Sequence, residues 1–137
     1  MSRRRAQMQG GHALLEGALI LTVFVGFCLG TMDFAQFLYF HQSLVERARV
    51  AARYAAVHPS DTVGTKNMAI YNSAAGGVNP LLPGLTADQV AVESLGSGTD
   101  ARVSVTITGY QVRFFSMGIA GNRSTAPVSV TMASEAP

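Results

Sequence analysis

The chain has 137 residues, room for one small domain, with 48% hydrophobic and only 13% charged residues, against a usual charged share of roughly 25%. That balance excludes intrinsic disorder, which needs low hydrophobicity and high charge. The formal net charge is +2, but Arg3, Arg4 and Arg5 sit together at the tip. The remainder has no basic stripe to track phosphates, so no nucleic-acid partner is expected.

In chain order, residues 1–11 (MSRRRAQMQGG) form a polar, basic leader. From His12 to Val57 there is no proline, and the stretch reads as one long helix over 12–57. Residues 17–32 carry no charge. At 1.5 Å per residue they cover about 24 Å of a roughly 30 Å hydrocarbon core. Spanning therefore recruits either Ala13–Leu15 or Phe34–Phe40, and the membrane part is set at about 13–37. Either route brings a carboxylate, Glu16 or Asp33, to or into the apolar slab. From about 38 to 57 the helix reads as amphipathic. Phe34, Phe37, Leu38, Leu44, Val45, Ala48, Ala52 and Ala55 recur at helical spacing and mark one face. Arg47, Arg49 and Arg53 fall largely off it, and Pro59 ends the helix.

An extracytoplasmic α+β domain is expected over 58–137. A short helix is predicted at about 65–75, stopped by Gly76-Gly77. Strands are predicted at about 89–95, 102–112 and 126–133. In the last two, Val103, Val105, Ile107, Val128, Val130 and Met132 alternate with Ser and Thr, the pattern of a sheet buried on one face. Gly96, Gly98 and Asp100 supply a turn, 113–125 a longer connection, and Tyr110, Phe114 and Phe115 read as sheet core. The fold class is α+β: a long N-terminal transmembrane, pilin-like helix with a small antiparallel three-stranded sheet packed on its C-terminal half.

Little in the chain points to catalysis. His12, His41 and His58 are far apart with no carboxylate or cysteine at ligand spacing, so neither a metal nor another cofactor is expected. The lone Cys28 cannot form an internal disulfide. Asn122-Arg123-Ser124 matches a glycosylation sequon, a three-residue pattern that is common by chance. Gly26 and Gly30 stand at GxxxG spacing, a helix-packing signal.

The most specific feature is Gly10-Gly11-His12-Ala13-Leu14-Leu15-Glu16 directly before the apolar run. A basic leader, a glycine, four residues and a glutamate ahead of a membrane helix resemble the processing site of type IV prepilins. The resemblance implies that a prepilin peptidase cuts after Gly11, leaving His12 as the N-terminus and Glu16 at the fifth position. A carboxylate inside a membrane helix costs about 2.5–3.5 kcal/mol on insertion scales, and cleavage would create an α-amino group one turn away. In assembled pilins that amine pairs with the glutamate of a neighbour. Arginine counts on the two flanks are nearly tied, so the cytoplasmic N-terminus is inferred from the processing requirement.

Further along, Asp33-Phe34-Ala35, Gln42 and Ala48-Arg49-x-x-Ala52-Arg53-Tyr54-Ala55 resemble the TadE-like minor pseudopilins of tight-adherence (Flp, type IVc) pili. Gly17 stands where the family usually carries an aromatic residue. The resemblance implies a structural, non-enzymatic protein of the bacterial inner membrane. Its implied partners are prepilin peptidase, other pilins and pseudopilins, the inner-membrane assembly platform and membrane lipid. Asp33 reads as an interfacial carboxylate, or as a second contact to Arg47 or Arg49 of a neighbour; Arg53 and Tyr54 read as anchors between helix and sheet. A different class of protein, an unprocessed single-pass envelope protein whose outer domain binds a partner, would keep its leader.

Overall fold

The computed structural model describes residues 3–97, 100–114 and 123–135, with side chains for all of these except 3–10 and 123. One uninterrupted helix, α1, runs from Arg3 to Val57 over 55 residues, about 82 Å at 1.5 Å per residue. It begins earlier than the expected His12, because no proline or capping residue separates the leader from the apolar run. Gly10 and Gly11 lower helix propensity but do not break it. Within the apolar part, the Thr22 and Thr31 hydroxyls donate to the carbonyls of Ala18 and Phe27, which satisfies them without water. Its most apolar window has a mean hydropathy of 2.1, none of it buried, so this helix is long and apolar enough to cross a membrane. At the far end the His58 amide donates to the Tyr54 carbonyl at 2.9 Å, and Pro59 stops propagation.

Only the last part of α1 is covered. Leu44, Ala48, Ala51, Ala52 and Ala55 are almost completely buried, and Phe40 and Val45 pack at their edge. Phe34 and Leu38 were expected on this face, but they are 63% and 43% exposed. The covering layer is a short sheet, and it does not reach that far down the helix on their side.

The second helix, α2, spans Thr62–Tyr71 rather than 65–75. Asp61 sets its start by accepting from the Gly64 amide at 2.8 Å, the usual N-cap arrangement. Asn72, at φ 58, sets its end; Gly76-Gly77 lie beyond the stop. The chain then passes through a single 3-10 turn at Ala87–Gln89, pinned by the Thr86 amide donating to Gln89 Oε1.

Among the described residues five strands follow: β1 (Val90–Leu95), β2 (Arg102–Ile107), β3 (Gln111–Val112), β4 (Arg123–Ser124) and β5 (Val128–Ala133). The main sheet has the order β1-β2-β5 and is antiparallel throughout. Glu93, Ser104 and Thr131 share one row of it, and Val92, Val105 and Val130 the next. The strand expected over 102–112 is two strands, because Gly109 takes φ 71, a conformation that L side chains rarely adopt. The chain turns there, and β3 pairs with β4 in a separate ribbon. β5 begins at Val128 rather than 126, since Pro127 has no N–H to give the ladder. Gly98, Phe115 and Asn122 lie outside the described residues.

Val103, Val105 and Ile107 face inward and are at most 1% exposed. The outer face carries a hydroxyl chain: Thr131 donates to Ser104, Ser104 lies 3.3 Å from Ser129, and Thr106 donates to Ser129. After β5 the Ser134 amide donates to Ala101 and the Glu135 amide to Ala56, tying this segment to the end of α1.

Two substitutions on the same helix distinguish covered from uncovered positions. Leu44→Ala should destabilise the outer unit by about 2–5 kcal/mol, and Ala52→Leu, which overfills the contact, by about 1–3 kcal/mol. Leu38→Ala should change little. Denaturant unfolding of the detergent-solubilised chain, followed by near-UV circular dichroism of its tyrosines, measures all three.

Candidate functional site

The residues singled out by sequence fall into three zones along α1. The first is the N-terminal zone of Gly11, His12 and Glu16, all exposed. Glu16 makes no ion pair among the described residues, so the folded chain leaves its carboxylate uncompensated. Gly26 and Gly30 are also open, with nothing within 4 Å of where a Cβ would stand. They precede Leu44 and Ala48 by eighteen residues, five full turns at 3.6 residues per turn. Both glycines therefore lie on the side of α1 that carries the sheet further along.

The second zone begins at Asp33, which is 6% exposed and engaged within the chain. It is therefore not presented to headgroups or water, as an interfacial carboxylate would be. On the same side, the Phe37 ring stacks on His41 and on Phe114, each at 6.3 Å between centroids. Phe40 meets Tyr110 at 5.9 Å, and the Tyr110 hydroxyl donates to the Pro83 carbonyl at 3.0 Å. Burial pushes the Tyr110 pKa up. The segment after β2 thus descends along α1 below the sheet, a contact that the alternation of the strands gives no hint of.

The third zone is the motif from Gln42 to Tyr54. Ala48 and Ala52 are floor positions beneath the sheet, whereas Gln42, Arg49 and Arg53 are exposed. Arg47 donates to Asn72 Oδ1 at 3.4 Å, a contact to the end of α2. Tyr54 does not anchor the sheet, and Arg53 faces away from it. Instead the Tyr54 hydroxyl donates to Asp61 Oδ2 at 2.8 Å, and its ring stacks on His58 at 4.6 Å. Tyr54 therefore fixes α2 on α1. Asp61 holds Tyr54 with one oxygen and the Gly64 amide with the other, while its carbonyl takes the Thr65 hydroxyl. A Cβ on Gly64 would overlap the Asp61 carboxylate. These partners were missed from sequence, although an Asp directly before a helix-forming run is an N-cap signal.

Electrostatics follow the same contacts. The Gly64 amide, and then the Tyr54 hydroxyl, hold the Asp61 carboxyl below its ordinary value of 3.8. The bond to Asp61 raises Tyr54 above 10.0. Opposite the sheet, Tyr39, Gln42, Ser43, Val45, Glu46 and Arg49 line a shallow open hollow of about 550 Å³. No group of three His, Cys, Asp or Glu side chains among the described residues could hold a metal ion.

The arrangement is an apolar helix, long enough to cross a membrane, that continues into a small packed α+β unit. Over residues 11–53, the apolar and alanine-rich parts of α1, the chain matches the family model described as TadE-like protein. No curated protein and no solved structure matches the chain.

The Asp61 clamp has a definite pH signature. A carboxylate with a lowered folded-state pKa contributes stability that is present above about pH 3.8 and is lost as pH falls through the folded value. Asp61→Asn should therefore melt below the parent at pH 7, and the two should converge in acid below pH 4. For Tyr54→Phe the difference should be complete below about pH 10 and be lost as pH rises through the higher folded value, because a raised pKa contributes fully below the unfolded value. Thermal melts across pH, read by near-UV circular dichroism, measure both.

Proposed function

We propose that this chain is a minor pseudopilin, an assembly component of a tight-adherence pilus that works in pilus biogenesis and, through it, in adhesion and biofilm formation. The observation that carries the reading is the coincidence of the family match with α1. The match opens at Gly11, where the glycine-to-glutamate spacing opens, and it runs into the alanine floor under the sheet. In this reading prepilin peptidase cleaves after Gly11. The apolar part of α1 anchors the subunit in the inner membrane with its N-terminus cytoplasmic, and the packed unit lies on the outer side.

Glu16 supplies the selectivity. Its exposed, unpaired carboxylate is costly in lipid, and the new amine of a neighbour's His12 would neutralise it. Insertion then tolerates the charge while assembly requires it. The subunit would meet other pilins, sister pseudopilins and the assembly platform through α1. Its outer unit, about 80 residues beyond Val57, exceeds what a mere helical stem needs, which supports a specialised minor subunit over the fibre's bulk component.

The test is the intact mass and N-terminal sequence of the protein from native membranes, with and without prepilin peptidase. A mature chain beginning at His12 only when the peptidase is present is expected, and Gly11→Leu should leave the mass of the precursor. Glu16→Ala should insert normally but reduce fibre-associated protein by tenfold or more. A chain that keeps Arg3–Arg5 in the presence of the peptidase would make it an unprocessed anchor and overturn the reading.

A further inference from the structure

The outer unit reaches further down α1 than its main sheet does. Asp33 is buried although Met32 and Phe34 beside it are open, so its cover comes from outside the helix. One turn further on, the Phe37 ring stacks on Phe114, and Phe40 meets Tyr110. Phe114 and Arg113 directly follow β3, where Val112 is buried and Arg113 is exposed. The lower edge of the unit therefore lies level with residues 33–37 of α1.

Those levels can be set against a bilayer. A hydrocarbon core of about 30 Å takes about twenty residues of helix. It covers 13–32 if it opens at Ala13, or 17–36 if it opens at Gly17, beyond Glu16. Its outer edge then falls between Met32 and Gln36, and the headgroup layer past that edge is about 5–8 Å deep. Phe37 stands about 1.5–7.5 Å past the edge in the two cases, inside the headgroup layer in both. Phe114, stacked on it, shares that level. Asp33 lies at the edge or about 4.5 Å within it, where an open carboxylate would be costly.

We infer that the lower edge of the outer unit is a second membrane contact, in which Phe114 and Arg113 rest in the headgroup layer of the outer leaflet. The inference rests on the anchor reading given above. Arg113 pairs with no acidic side chain among the described residues, and a guanidinium matches the geometry of a lipid phosphate. Phe34 and Tyr39, both exposed, bracket the same level on α1, as aromatic side chains do at a membrane interface. By composition alone, 114–122 (FFSMGIAGN) carries no charge and is bracketed by Arg113 and Arg123. The contact lies beside the helix axis, so it fixes tilt and depth as interfacial anchors do. It favours an anionic leaflet. A subunit drawn out of the membrane has to give it up.

The sequence has no tryptophan, so a single introduced one reports alone. Full-length chains with Phe24→Trp, Phe114→Trp or Val63→Trp are reconstituted into vesicles of phosphatidylethanolamine and phosphatidylglycerol. Lipids brominated near the headgroup or near the methyl end of the acyl chain serve as quenchers. Phe24→Trp is expected to lose most emission to the deep bromines. Phe114→Trp is expected to lose about half its emission to the shallow bromines and less to the deep ones. Val63→Trp, at the start of α2, should change by less than about a tenth. Adding Arg113→Glu to Phe114→Trp should lower the shallow quenching about twofold, and by less in vesicles of phosphatidylcholine alone. Arg113→Trp, at an exposed position, is the second probe if Phe114→Trp disturbs the near-UV circular dichroism, and the same quenching is expected of it. Phe24→Trp quenched, with Phe114→Trp and Arg113→Trp both unquenched, would hold the outer unit clear of the membrane. That result overturns the inference and leaves the anchor intact. Phe24→Trp unquenched overturns both. Equal quenching of Phe114→Trp and Val63→Trp would lay the unit flat on the bilayer and overturn the lower edge as the contact. Arg113→Glu without effect overturns the phosphate contact.

Discussion

The rest of the molecule depends on the close approach of a sheet to one side of a helix that is far longer than the sheet. Four alanines, Ala48, Ala51, Ala52 and Ala55, are buried to 1% exposure or less, and their small side chains let Val103, Val105 and Ile107 come down onto α1. Burial of apolar surface at about 25 cal/mol per Å² is non-directional. The direction here comes from where the small residues sit. They give the helix a sheet side and leave an open side, and they mark how far up α1 the outer unit begins. Between Gly11 and Met32 the side chains are almost all exposed and stay available for lipid or for other helices.

That arrangement separates two chemistries on a single element. On the sheet side, most polar groups are answered within the chain: Asp33 is buried and engaged, Tyr54 is held by Asp61, and Tyr110 by Pro83, while His41 Nδ1 is buried without a hydrogen-bond partner. On the open side, and toward the N-terminus, they are not: Glu16, Glu46, Arg49 and Arg53 are exposed without an ion pair among the described residues. An exposed charge in water costs nothing. One that must enter lipid or a helix bundle requires a partner. The packed side of α1 therefore carries most of the satisfied polar groups, and the open side carries the unpaired charges.

The extent to which this was legible in the sequence follows from the range of each interaction. The long helix, its stop before Pro59 and the alternation of Val103–Ile107 and Val128–Met132 are set by near neighbours in the chain, and they read directly. The boundaries of α2 were displaced because Asp61 and Asn72, which cap it, act through backbone geometry and not through hydrophobic period. The break at Gly109 was lost inside a run of alternating residues. Phe34 and Leu38 share the helical phase of Leu44, but phase does not say how far up the helix the sheet extends. The burial of Asp33 and the Tyr54–Asp61 clamp depend on tertiary approach, which a single sequence does not encode locally.

The continuity of α1 has a consequence for how such a chain can change in length. Because no loop lies between the apolar half and the packed half, the outer unit's orientation is geared to the helix. Inserting one residue between Gly30 and Asp33, ahead of the first contacts of the outer unit, would turn that unit by about 100° around the axis and lift it by about 1.5 Å. Inserting seven would turn it by only about 20° while lifting it by about 10.5 Å. The tolerated insertions in this interval are therefore those near whole numbers of turns. Additions beyond α2, after Asn72, are free of that phasing.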